Sequence, residues 1–297
     1  MSAADGLAPT TRVGRVALTV RSLEETLPFY RDVVGLALHE HTGGSATLGA
    51  PDRPLLELFE APTAQERPPT AAGLYHYAIR VPTRPALGAA LERIEANWQL
   101  DGASDHGVSE ALYLHDPVGN GIEIYWDRPR EEWPEDGQGG VAMETAPLDL
   151  DAIRRLSNDG ATLPVDTVVG HVHLEVTDIS AARAFYVDAL GMNVRAQYGA
   201  DALFLAAGDY HHHVGLNTWN GRSEPMSEGT VGLAWYELIV PDASELRRVV
   251  NRLLENGVDV RGDVGKLRVE DPSGISIRMQ PGVGVASTDD ASAERSG

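Results

Sequence analysis

The chain repeats itself at a fixed interval, and the repeat limits the folds open to it. Val13-Gly14-Arg15-Val16-Ala17-Leu18-Thr19-Val20 aligns with Val169-Gly170-His171-Val172-His173-Leu174-Glu175-Val176. A Phe-Tyr pair ends at Tyr30 in one copy and Tyr186 in the other, and glycines follow at Gly35 and Gly191. The offset is 156 throughout (170 less 14, 186 less 30, 191 less 35). Each segment reads as a strand, an amphipathic helix ended by glycine, and further strands.

A second pair of segments matches as well. Gly73-Leu74-Tyr75-His76-Tyr77 corresponds to Gly232-Leu233-Ala234-Trp235-Tyr236, and Val81-Pro82 to Val240-Pro241. Helical periodicity follows over 86–97 and 244–256, and Asp116-Pro117-Val118-Gly119 then corresponds to Asp271-Pro272-Ser273-Gly274. Four copies of one strand–helix–strands unit are predicted, two in each half, as domains over 13–133 and 168–281. The segment 134–167 reads as a polar linker, with Gly137, Gly139 and Gly140 and one short helix over 148–156. The small and acidic residues from Val283 onward read as disordered.

Composition narrows the function. The net charge is −20, and Lys266 is the one lysine among 24 basic residues, which argues against nucleic acid as a partner. An acidic, lysine-poor surface also suits work at high salt, so a halophilic habitat is expected. No apolar run approaches the ~18 residues of a membrane span. Met1 to Thr11 lacks the pattern of a secretory signal, and a cytoplasmic location is expected. Cysteine is absent, so any metal must be held by His, Asp or Glu.

The stretch from Ser104 to Glu123 concentrates the chemistry. It reads as two strands joined by the Asp116-Pro117-Val118-Gly119 turn. Glu123 lies between Ile122 and Ile124, so its carboxylate faces away from both. A carboxylate, the His106 imidazole and the Tyr113 phenol gathered there point to a metal or acid–base site.

This organisation resembles the vicinal oxygen chelate family, an α+β fold in which βαβββ modules pair into a cupped sheet around a metal. Within it the chain is similar to extradiol ring-cleaving dioxygenases of the catechol 2,3-dioxygenase type, over residues 13–133 and 168–281. The hairpin carries the extradiol pattern: His106, then an aliphatic-Tyr pair ending at Tyr113, then Asp116-Pro117-Val118-Gly119 and Glu123. One position departs, Ser104, where glycine, asparagine, threonine or an aliphatic residue is usual. That position carries no ligand.

The resemblance implies metal ligands from three places: the first strand of one module, and the first and last strands of its paired module. Arg15 and His171 occupy the first place, His76 and Trp235 the second, Glu123 and Arg278 the third. Arginine stays protonated and cannot ligate iron. Neither half is complete by itself, but pairing module two with module three assembles His76, Glu123 and His171. Modules one and four then share a place carrying Arg15, Trp235 and Arg278, expected to be metal-free. The chain is thus expected to be a fused pseudo-dimer with one working site. His173 shares a strand face with His171 and competes for its role; the repeat alignment favours His171.

Two histidines and a carboxylate suit Fe(II), with Mn(II) as an alternative and Zn(II) a poorer fit. The resemblance places an acid–base histidine in Tyr210-His211-His212-His213-Val214-Gly215-Leu216, read as a later strand of module three. Alignment favours His212, with His213 as the alternative, and His106 and Tyr113 match the two other catalytic positions. A small aromatic diol and O2 are the implied partners, and a ring-opened semialdehyde the product. The pseudo-dimer could stand alone, and a homo-oligomer is compatible with it.

The plainer readings stand beside these. His39, His41 and His115 read as structural or exposed, Tyr113 could be an ordinary strand aromatic, and Gly14, Gly35, Gly170 and Gly191 read as helix and turn glycines. Two rival functions share the fold: a metal-dependent enzyme of the glyoxalase or thiol-transferase kind, and a non-catalytic ligand-sequestering protein. The His106, Tyr113 and His212 set weighs against the first, and a complete metal triad against the second.

Overall fold

The computed structural model describes residues 6–282 except 136, 138–140, 158–159 and 264–265. The tail from Val283, with Gly139 and Gly140, lies outside the described residues.

Four units follow one another along the chain. The first holds β1 (Arg12–Val20), α1 (Leu23–Pro28), β2 (Ala37–His41), β3 (Ser45–Ala50) and β4 (Arg53–Glu60). The second holds β5 (Gly73–Arg80), α2 (Arg84–Asn97), β6 (Gly102–Asp105), β7 (Ser109–His115) and β8 (Gly121–Asp127). After β9 (Ala146–Pro147) and α3 (Leu150–Arg154), the third unit holds β10 (Val168–Glu175), α4 (Ile179–Arg183), β11 (Asn193–Tyr198), β12 (Ala202–Ala206) and β13 (Val214–Asn217). The fourth holds β14 (Gly232–Val240), α5 (Ala243–Glu255), β15 (Leu267–Glu270) and β16 (Ser276–Pro281). Among the described residues its remaining strand is reduced to an isolated bridge between Arg261 and Arg268.

Local chemistry sets the helix starts. The Ser22, Thr83, Asp178 and Asp242 side chains each accept a backbone N–H of the first turn of α1, α2, α4 and α5. Beyond the sequence expectation, α1 and α4 widen into π-helical turns at Phe29–Val34 and Ala184–Ala189. These turns bury Tyr30 and Tyr186 completely, and the chain leaves them at Gly35 and Gly191, both with φ of 88°.

The strands form two sheets, in the orders β15-β16-β14-β1-β4-β3-β2 and β11-β12-β13-β10-β5-β8-β7-β6-β9. Each sheet takes one unit from each half: β1 pairs antiparallel with β14, and β10 antiparallel with β5. The halves 13–133 and 168–281 are therefore each shared between both sheets, the pseudo-dimer with exchanged modules that the ligand pattern required. The segment between the halves does more than span them. Its β9 adds an edge strand to β6, and Ile153 of α3 is fully buried.

Gly14 and Gly170 correct one expectation, because both lie within first strands rather than in turns or helix ends. At Gly170 the reason is a close approach: a Cβ would stand 1.8 Å from the Tyr125 hydroxyl oxygen.

Candidate metal centre

In the nine-stranded sheet β5 lies between β10 and β8. Ala78 on β5 is in register with His171 on β10 and with Glu123 on β8. His76, two residues from Ala78, projects from the same face. The small Ala78 side chain leaves room for three larger neighbours to converge above it.

His76 Nε2 lies 3.0 Å from Glu123 Oε2, and His171 Nε2 lies 3.1 Å from the same oxygen. The two Nε2 atoms are 3.4 Å apart. All three residues are buried, and among the described residues they are the one such group of histidines and carboxylates. Burial would raise the Glu123 carboxyl, but His171 and His76 hold it well below the usual range. Burial lowers His171 to about 4. Without a proton at Nε2, His76 and His171 would turn lone pairs toward the same point as the Glu123 carboxylate, a donor set that fits a divalent cation.

Ring packing orients His171. Its Nδ1 has no hydrogen-bond partner among the described residues, and the ring is held by His212 and Tyr125 at centroid distances of 4.0 and 5.1 Å.

The three residues line a cavity of about 920 Å³, which His106, Tyr113 and His212 also line. Tyr113 is directly opposite Glu123 on the β7–β8 hairpin. Its hydroxyl lies 2.8 Å from His106 Nε2, and His106 Nδ1 lies 2.7 Å from the Glu144 carbonyl. That carbonyl only accepts, so Nδ1 carries the proton and a neutral His106 accepts from Tyr113 at Nε2. Burial, with Glu123 adding to it, raises the Tyr113 phenol well above its ordinary value. His106 itself stands in the turn before β7 rather than on a strand.

The histidine run departs from its reading as a strand. β13 begins at Val214, and residues 207–213 form the turn that precedes it. The three rings therefore do not alternate across a sheet. His212 faces the cavity, whereas His213 Nδ1 accepts the Ala207 backbone N–H at 3.2 Å. His211 bridges outward: its Nδ1 lies 2.7 Å from His212 Nδ1, and its Nε2 lies 2.9 Å from Asp127 Oδ1. Burial lowers His212 well below the ordinary histidine value.

His173, the competitor of His171, is committed elsewhere. Asn217 Nδ2 donates to its Nε2 at 3.0 Å, and its ring packs against Tyr75 and Trp219. Asp127 and His211, reached only through the third dimension, carry no sequence signal beyond the histidine run itself.

At the related place in the seven-stranded sheet, side chains pair with one another. Arg15 forms ion pairs with Glu57 and, at 3.1 Å, with Glu237. The Arg278 guanidinium lies over the Trp235 ring at 3.8 Å.

Known proteins resemble this chain in sequence or in fold. A protein of Bacillus subtilis (strain 168) named catechol-2,3-dioxygenase is 43% identical over 268 residues, 88% of this chain and 94% of its own. Glyoxalase I from Zea mays has the same fold, with a TM-score of 0.57 at 18% identity over 92% of each chain. So does the cppA protein of Streptococcus pneumoniae TIGR4, with a TM-score of 0.58 at 12% identity over 91% of this chain and 99% of its own. A family sequence pattern matches twice, over residues 12–124 and 168–279, and the chain belongs to the Glyoxalase/Bleomycin resistance protein/Dioxygenase superfamily.

Proposed function

We propose that this protein is an Fe(II)-dependent extradiol dioxygenase that opens a catechol-type ring with O2 to a semialdehyde. One observation carries the reading: His76, Glu123 and His171 converge on a cavity that His106, Tyr113 and His212 also line. The identity to the Bacillus protein named catechol-2,3-dioxygenase supports an aromatic diol as substrate. His76, Glu123 and His171 are the residues that would hold Fe(II), and Mn(II) would suit the same donors. Bound there, Fe(II) would supply the electron-transfer chemistry between diol and O2 that no side chain offers.

The side chains supply orientation and proton movement. Tyr113 donates to His106 Nε2, so its oxygen is free to accept from a diol hydroxyl. A proton leaving the diol can pass to the Tyr113 oxygen while the Tyr113 proton moves to His106 Nε2.

His212 works from the other wall. The Asp127 carboxylate only accepts, so His211 holds its proton at Nε2 and accepts at Nδ1. His212 Nδ1–H then donates to His211, which leaves His212 Nε2 unprotonated. That nitrogen can take a proton from a hydroxyl of the diol and return it as the ring opens.

The decisive test is oxygen uptake by the full chain reconstituted anaerobically with Fe(II) and then given catechol and air. A yellow ring-fission product is expected. Metal binding without oxygen uptake would overturn the reading in favour of isomerase or transferase chemistry, and a chain that binds no metal would point to ligand sequestration.

A further inference from the structure

We infer that Arg67 and Arg222 make one end of the cavity a subsite for an anionic substituent on the substrate ring. The inference rests on the function proposed above and names a narrower class within it, catechols that carry a carboxylate on a short arm. Both arginines line the cavity that holds the metal-ligand set. Both meet the carboxylate of Glu175, Arg67 at 2.8 Å and Arg222 at 3.0 Å, and Asn220 Nδ2 donates to it at 2.5 Å. Glu175 is buried, and a single guanidinium would neutralise it. The second leaves the group with a net positive charge, in a chain whose net charge is −20.

A carboxylate is the group that planar guanidinium forks bind best, and this pair of forks faces the cavity with one positive charge to spare. Neither arginine stands on a strand; Arg67 precedes β5, and Arg222 lies between β13 and β14. Gly73 makes the approach of Arg67 possible, since a Cβ there would stand 2.7 Å from Nη1, and its φ of 154° suits glycine.

Position matches the chemistry. Gly73 is three residues from His76 on β5, and Glu175 is four residues from His171 on β10. At strand spacing the charged group is therefore about 10–13 Å from the metal-ligand set. A short carboxyalkyl arm on a chelated diol ring spans that kind of distance. Between the two ends Tyr75 and Trp219, with ring centroids 5.6 Å apart, offer an apolar wall for the arm. Both rings are substantially exposed in the cavity, as surfaces awaiting a partner are.

The test compares carboxyethylcatechol with neutral propylcatechol as substrates of the Fe(II)-loaded full chain. The expected ratio of kcat/KM favours the carboxylate by about 10- to 100-fold, the usual worth of a charge-assisted bond. Arg222→Gln should lower that ratio by a similar factor, and Glu175→Gln, which frees both guanidiniums, should raise it. A ratio near one in the wild type, or one that neither variant moves, overturns the subsite. Calorimetry on the wild-type chain with phenylpropionate and phenylpropanol needs no variant to fold and no ring cleavage. Tighter binding of the anion by tenfold or more supports the subsite, and equal binding overturns it. Failure to cleave either catechol would count against the proposed function alone, because calorimetry still decides the subsite.

Discussion

The Tyr186 hydroxyl donates to Asp271 across 3.0 Å, tying the π-helical turn of the third unit to the Asp-Pro turn of the fourth. Tyr30 and Asp116 repeat the bond at 2.8 Å between the first two units. Because units one and two lie in different sheets, as do units three and four, each bond fastens one sheet to the other.

This pairing predicts a pH dependence of stability. Burial pushes the Asp271 carboxyl up to about 6. The folded chain therefore binds this proton more tightly than the unfolded one, whose carboxyl titrates at about 3.9. The contribution is fully present below that value and is lost as pH rises through about 6. The stability of wild type relative to Asp271→Asn should thus fall between about pH 4 and pH 6, by on the order of 3 kcal/mol. Urea denaturation of both proteins across that range checks it, and a constant difference would refute it.

Metal content follows from the ligand geometry. The full chain should bind one Fe(II), and His171→Ala should lose it while Arg15→Gln keeps it. Two metals per chain, or loss of metal on the Arg15 substitution alone, would contradict the assignment. Elemental analysis after anaerobic loading gives the answer.

If His212 moves protons, His212→Ala should retain the metal and lose turnover by roughly 10²–10⁴-fold. Steady-state oxygen uptake with parallel metal analysis measures this. Undiminished turnover would remove His212 from the chemistry.

Asp127 is expected to act through His211. Asp127→Asn can donate to His211 Nε2 and so reverse the proton order along the chain of rings. Turnover should fall by about 10- to 100-fold, as for other residues that orient a working histidine. Oxygen uptake on metal-matched samples tests it, and a variant as active as the wild type would show that the tautomer is set elsewhere.

Much of this was legible in the chain because the repeat is long and regular. Matching Gly14 with Gly170 and Asp116 with Asp271 is enough to register four units, and the distribution of His76, Glu123 and His171 then requires units two and three to share a sheet. The histidine run was misread because alternation is a property of paired strands, and pairing begins only where His213 donates its N–H to the Leu205 carbonyl at 2.7 Å. Asp127, Arg67 and Arg222 carry no local pattern at all. They matter through partners 84, 108 and 47 positions away (211 less 127, 175 less 67, 222 less 175), which only the assembled sheet brings close.

In a symmetric pair of identical chains, any substitution falls on both centres at once. Joining the two halves in one polypeptide removes that coupling. Arg15 and Arg278 can stand where a second centre would need donors, while His171 and Glu123 would serve the first. Asymmetry is thereby written into the covalent chain, and a substitution on one side of the molecule leaves the matching position on the other side as it was.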